Sequence, residues 1–401
     1  MSQTNKTILI NANSRSFGSG PNIPSKLLPT PWSSSKDTYY KQLRKQALDS
    51  NLDWGSENFS IILPRSLNCT SDTYLRVDLP DLSDPSHAYK YARGRYVVKS
   101  MSFRSNGTEV YRVVDYNMWI RNFEENLSIE ELKAFRETFL GCATPSQRTH
   151  VGSTVFIPLA LPNTRYARYA HQTGVNYGVL PMRFGSSVTE IVLTLNAAAN
   201  LVVADASHAP GSIANLCSLE FREVIGRPAF INAYSEGRGS YSTCMPEHIP
   251  LNADFENMTA NTPHTFRNLN PTGNVYAIEF NCQDQGASTL QETSAMTHLT
   301  ALRVTLDNEI VIDMDEHELK MDQYSHGYRS NNNSLTIMPR IQFNNQGSKA
   351  SISFRGSVDF RNIASCNITV TFAADCKVRV YSARYTRIVL TSAGEFKKYL
   401  D

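Results

Sequence analysis

The sequence predicts an all-β protein made of two tandem β-sandwiches of about eight strands each, with few short helices. Three observations carry this prediction. Apolar and polar residues alternate at period two along many short segments, turn-forming residues punctuate those segments, and the chain holds 19 Tyr and 18 Phe but little helical periodicity. The clearest stretch is 351–390, where Ile352 and Phe354, Val358 and Phe360, Ile368, Val370 and Phe372, then Val378 and Val380 alternate with polar neighbours. That is the pattern of strands with one buried face. At 401 residues the chain exceeds one hydrophobic core, and two domains of about 150–200 residues each are expected.

Residues 1–50 read as an N-terminal arm rich in Ser, Asn, Pro and Gly, ending in a short basic helix. Ser35 fits its cap, and Tyr39, Tyr40, Leu43 and Leu48 form its apolar side. Lys41, Arg44 and Lys45 lie elsewhere on it and suit either plain packing or contact with an inner partner or membrane surface. The first sandwich, 51–225, opens with FSIILP and TYLRVDLP, in which Leu75, Val77 and Leu79 face one way and Arg76 and Asp78 the other. Asn106-Gly107 supplies the two positive φ values of a type I′ hairpin turn, setting Phe103 opposite Val110 and Arg104 opposite Glu109. A single helix over about 129–140 is expected from the capping box Ser128 to Glu131, the shared face of Leu132, Phe135 and Phe139, and Gly141 as its stop. Strands resume at STVFIPLAL, VLPMRF, TEIVLTLN and LCSLEFREV.

The breaker-rich stretch 226–274 predicts a linker, placed at 226–240, plus extended loops. The second sandwich, 241–401, has strands at VYAIEF, LTALRVTL, EIVIDM after an Asp307-Asn308 turn, LTIMPRIQF and the closing series.

Composition excludes several function classes. Balanced charge, 39 Lys plus Arg against 37 Asp plus Glu, argues against a protein that coats nucleic acid. The seven cysteines are widely spaced and include no Cys-x-x-Cys, so neither a zinc cluster nor a disulfide framework is indicated. The opening residues lack a signal-peptide core, and a reducing compartment is expected. The run Asp313, Asp315, Glu316, His317, Glu318 has no calcium-loop spacing and reads as a solvated turn. No nucleophile elbow or dinucleotide-type phosphate cradle is present, so no catalytic residue, cofactor or metal is expected. The loop holding Arg165, Tyr166, Arg168, Tyr169 and Tyr177 mixes cations with rings. It suits a single-strand nucleic-acid platform or a subunit contact, and the interface preference for Tyr and Arg favours the second.

The order of these motifs resembles the double jelly-roll major capsid proteins of the nucleocytoplasmic large DNA virus and polinton-like lineage. FSIILPRSLNCTSDTYLRVDLP, the Asn-Gly hairpin, the helix with MWI before it and FLG at its end, VFIPLALP and VTEIVLTLN follow the family's first roll. YAIEF, RVTLDNEIVIDMDEHELKMDQYSHGY, LTIMPRIQF, GSVDFRNIASCNITV and VRVYSARYTRIVL follow its second. Gly356, Asp359, Phe360, Arg361 and Ile363 resemble the family signature Gly-x-x-Asn-Phe-Ser-Arg-Ile-Asp, with Asp for the Asn and the Ser missing. Ala383-Arg384-Tyr385 resembles its penultimate strand without the first Asn.

The resemblance implies a homotrimer that forms a pseudo-hexameric capsomer of an icosahedral virion. Its partners would be other capsomers, penton and minor capsid proteins, with an inner membrane as a further candidate and no sequence-specific nucleic acid. Two competing readings remain. Tandem lectin-like carbohydrate-binding rolls would set aromatic residues on a sheet face, where this chain has Arg76, Asp78, Arg303 and Thr305. A cupin-type enzyme would need a His-x-His pair, which is absent.

Overall fold

A computed structural model describes residues 40–48, 51–64, 69–125, 127, 129–162, 188–203, 208–225, 241–286, 299–325, 340–342, 357–391 and 393–399. The chain divides into two compact units: described residues up to Met245 together with Thr386–Tyr399, and Pro246–Tyr385.

The first unit contains β1 (Tyr40–Ala47), β2 (Phe59–Ile62), β3 (Cys69–Asp78), β4 (Val98–Ser105), β5 (Thr108–Val113), α1 (Tyr116–Glu125), α2 (Ile129–Thr138), β6 (Thr154–Pro158), β7 (Thr189–Leu195) and β8 (Cys217–Ile225). Its sheets run in the orders β1-β8-β3-β6 and β2-β7-β4-β5, with every neighbour antiparallel. Leu75, Val77, Ile157 and Leu219 of one sheet and Phe103, Ile191 and Leu193 of the other are fully buried. Each such side chain contributes about 1.5–3 kcal/mol on leaving water.

Strand β9 (Tyr241–Pro250) carries the chain from one unit to the other. The second unit continues with β10 (Glu256–Met258), β11 (His264–Leu269), β12 (Asn274–Gln283), β13 (Leu299–Leu306), β14 (Glu309–Asp315), α3 (Glu316–Ser325), β15 (Arg340–Gln342), β16 (Val358–Asp359) and β17 (Cys366–Phe372). Strand β18 (Cys376–Leu390) returns to the first unit, followed by β19 (Phe396–Tyr399). One sheet runs β10-β18-β12-β15, with β16 added to β12 and both β9 and β19 added to β18. The other runs β11-β17-β13-β14. With β9, β16 and β19 set aside, each unit has the same order: first, last, third, sixth in one sheet and second, seventh, fourth, fifth in the other. Phe266, Ile278, Phe280, Val304, Ile368, Val370, Phe372, Val378 and Val380 fill the core between the second pair of sheets. Both units are jelly rolls.

Local chemistry explains most elements. Asn106 and Gly107 take φ values of 50° and 76°, and Asp307 and Asn308 take 47° and 70°, so two type I′ turns join β4 to β5 and β13 to β14. Arg104 pairs with Glu109 as the turn requires, but Phe103 faces Tyr111 rather than Val110, because a bulge follows Glu109 and shifts the register.

Three further differences have physical causes. The segment expected to form a basic helix is β1, aligned with β8 from Tyr40↔Ile225 to Ala47↔Ser218. A lone helix of that length is marginal in water, whereas the open side of β8 satisfies a full ladder of backbone groups. α1 adds a helix where only one was expected. Asp115 starts it by accepting from the Met118 N–H at 3.1 Å, and Tyr116, Met118, Trp119, Ile120 and Phe123 are buried along it. The breaker-rich stretch contains β9, β10 and β11: Pro250 ends β9, Pro263 and Pro271 fall between strands, and Pro246 lies within β9. VLPMRF and the segments around Ile352 and Leu335 lie outside the described residues, apart from Arg340–Gln342.

The two helices are locked by an ion network. Glu124 accepts from Arg136 Nε at 3.1 Å and Nη2 at 2.9 Å, and Arg95 Nη1 lies 3.4 Å away. Burial pushes the Glu124 carboxyl up, but the Arg136 and Arg95 guanidiniums outweigh it and hold the group below the usual carboxylate range. Glu124→Ala strands two buried cations, and its expected cost is about 3–5 kcal/mol in urea unfolding. Because folding lowers this group's proton affinity, its contribution is present above the ordinary value of 4.5 and is lost as pH falls through the depressed folded value. Stability of the wild type measured against pH should therefore drop on the acid side, and this drop should shrink in Glu124→Gln.

Candidate functional site

Among the described residues of the second unit, the exposed large apolar side chains lie on β14 and α3. β14 is the last strand of its sheet, and a register shift between Val304 and Thr305 puts Ile312 opposite Val304 but Ile310 opposite Thr305. Val311 is thereby left without a partner, and the strand bends there. Ile310 and Val311 are 59% and 49% exposed, and Met321 on α3 is 73% exposed. Ile312 and Met314 pack against the core instead. An edge strand with open backbone groups and apolar side chains is a surface suited to another chain.

The acidic run beside this strip is a helix start rather than a solvated turn. Asp315 Oδ1 accepts from the His317 and Glu318 N–H groups at 2.8 and 2.9 Å, while Glu318 Oε2 accepts from the Asp315 N–H at 3.0 Å. This reciprocal pair is a capping box written Asp-x-x-Glu, a signal present in the sequence and overlooked there. The Glu318 and His317 N–H groups hold the Asp315 carboxyl below its ordinary range. Asp313 pairs instead with Arg303 at 2.8 Å on the exposed face. These carboxylates are committed to a cap and a cross-strand pair.

The residues expected at an inner face sit on β1. Arg44 Nε donates to Glu223 Oε2 at 2.9 Å, with Glu223 buried and Arg44 half exposed, so its charge anchors the edge strand to β8. Lys45 is exposed, as is Leu43 beside it. Lys41 lies on the same strand, paired in register with Val224. Arg165, Tyr166, Arg168, Tyr169 and Tyr177 lie outside the described residues. A cluster that sequence reading missed, Asp84, His87 and His208, gathers on two loops of the first unit.

Likeness to solved structures decides the fold. The PBCV-1 virus capsid protein aligns with 90% of this chain and 97% of its own length at 11% identity, with a TM-score of 0.61. The Faustovirus major capsid protein aligns over 96% and 98% at 9% identity and a TM-score of 0.57. The mavirus major capsid protein aligns over 94% and 92% at 12% identity and a TM-score of 0.57. The chain has the double jelly-roll fold of these viral capsid proteins. No sequence-family profile and no curated protein sequence matches it. At such identities the double jelly roll is shared through strand order and burial pattern.

Removing the α3 cap by Asp315→Ala should speed amide hydrogen exchange at His317 and Glu318, while Asp315→Asn, which keeps an acceptor, retains most of the protection.

Proposed function

We propose that this chain is a viral major capsid protein whose trimers form pseudo-hexameric capsomers of an icosahedral shell. The observation that supports this most is the repeated strand order: two rolls with identical sheet connectivity give one polypeptide two similar walls. Three copies related by a threefold axis then offer six walls, through a contact in which one surface meets a different surface of the next copy. The boundaries expected from sequence, 51–225 and 241–401 with 226–240 as the link, shift in the folded chain: the unit that includes β1 and Thr386–Tyr399 serves as one wall and Pro246–Tyr385 as the other. The role is mechanical, located in the virion, and requires no catalytic group.

The β14–α3 strip is one contact between copies, and the loop with Arg165, Tyr166, Arg168, Tyr169 and Tyr177 is another. Lys41 and Lys45 face an inner partner, with Arg44 holding their strand in place. Other capsomers, penton and minor capsid proteins complete the shell.

Light scattering coupled to size exclusion tests the reading directly. The expected species has three times the 44.9 kDa chain mass, and a chain that stays monomeric at all concentrations removes the proposal. The double variant Ile310→Lys, Val311→Lys should leave each unit folded and weaken the trimer at least about tenfold, the loss that corresponds to forfeiting ~1.5 kcal/mol of apolar burial. Binding of the monomer to a glycan array would instead indicate the lectin-like alternative.

A further inference from the structure

Asp84 and His87, in the connection between β3 and β4, meet His208, in the segment before β8. Asp84 Oδ2 lies 3.2 Å from His87 Nδ1 and 3.6 Å from His208 Nε2. One potential ligand atom from each residue falls within 4.8 Å of the others. The two imidazole rings are stacked, with centroids 3.8 Å apart and planes 19° from parallel. All three residues are half-buried.

Two sets of contacts outside the cluster hold it in place. Asp84 Oδ1 accepts from the Ser86 N–H at 2.8 Å and from the Ser86 hydroxyl at 2.7 Å, which turns Oδ2 toward the rings. An orienting partner of this kind is what metal-binding carboxylates use. The backbone then ties the two segments together: Tyr89 bridges Val202, the Val203 N–H donates to Ala88 O at 3.0 Å, and the Lys90 N–H donates to Leu201 O at 2.8 Å.

We propose that Asp84, His87 and His208 bind a divalent ion of the zinc class, which staples the 84–87 turn to the loop at 208. Bonds of about 2.0–2.1 Å in tetrahedral geometry place neighbouring ligand atoms about 3.3 Å apart, and the two Asp84–His spacings, 3.2 and 3.6 Å, lie on either side of that value. For both imidazoles to hold one ion, the stacked rings must turn apart, to roughly 5 Å between centroids, and His87 Nδ1 must exchange its 3.1 Å contact with Ser86 Oγ for the metal. Two imidazoles and one carboxylate favour zinc and its neighbours over calcium or magnesium, which demand oxygen donors. The exposed side leaves a fourth position for water or for a donor from another molecule. The ion stabilises the first unit by binding the folded chain in preference to the unfolded one. This site stands apart from the assembly reading and survives if that reading fails.

The test uses the full chain stripped with EDTA. Zinc titration calorimetry should give one ion per chain, and His208→Ala and His87→Gln should each lower affinity at least about tenfold, the lower end of the cost of losing even an orienting partner. The zinc-induced rise in unfolding temperature should vanish in both variants, with metal-free circular dichroism unchanged. Cobalt loading should give weak visible bands without the intense near-ultraviolet thiolate band. On the wild type alone, zinc should protect His87 and His208 from diethyl pyrocarbonate, read by peptide mass spectrometry, which keeps the test decisive if a variant misfolds. Absence of zinc binding, wild-type affinity in folded variants, a thiolate band, or unprotected His87 and His208 would each overturn the site.

Discussion

Each unit depends on one pairing made across most of its own length: the last strand inserts between the first and the third. In the first unit this joins Ala47 to Ser218 and Val77 to Cys217. In the second it joins Met258 to Cys376 and Cys282 to Val378. Neither sheet is complete without that insertion, so the cores between the sheets close only after the costliest chain closure has been made. Such topology folds slowly and resists local opening once formed, because few hydrogen bonds in the central strands can be lost singly.

Charge is tolerated inside the first unit as a closed set: Glu124 meets Arg95 and Arg136 with the first two buried and Arg136 nearly so. In the second unit Arg384 reaches Glu247 at 3.0 Å, and its Nη1 also donates to Thr272 Oγ1 at 2.8 Å. Buried pairs of this kind add little net stability over an apolar replacement, but a mispaired register would leave a charge unmatched. They penalise wrong packing.

How much was legible follows from how local each signal is. Leu75, Val77, Ile191, Leu193, Ile368 and Val370 alternate because one sheet face is buried, and that pattern needs no knowledge of partners. Asn106-Gly107 and Asp307-Asn308 mark their turns alone. By contrast β1 takes its state from the open side of β8, far along the chain, and its Lys, Arg and Gln residues suit a helix equally well. Breakers hid β10 and β11 because strands of three and six residues leave no room for a periodic signal. The Val110 bulge depends on packing that a turn type does not specify. Asp84 and His87 sit three apart, but nothing in sequence connects them to His208. The exposure of Ile310 and Val311 was equally hidden, since EIVIDM reads as a strand whatever its register and the shift opposite Val304 and Thr305 is not written in the turn.

Strand β19 carries a last consequence. Phe396 stacks edge-on against Phe103 at 5.5 Å, its N–H donates to Ser105 Oγ at 3.1 Å, and Asn106 Nδ2 donates to Glu395 at 3.1 Å. All of these partners belong to the first unit. The first roll is thus finished by residues that leave the ribosome after the entire second roll has been translated. A polypeptide released early keeps an unfinished patch around Phe103, so the order of synthesis itself sets apart chains that carry β19 from those that lack it.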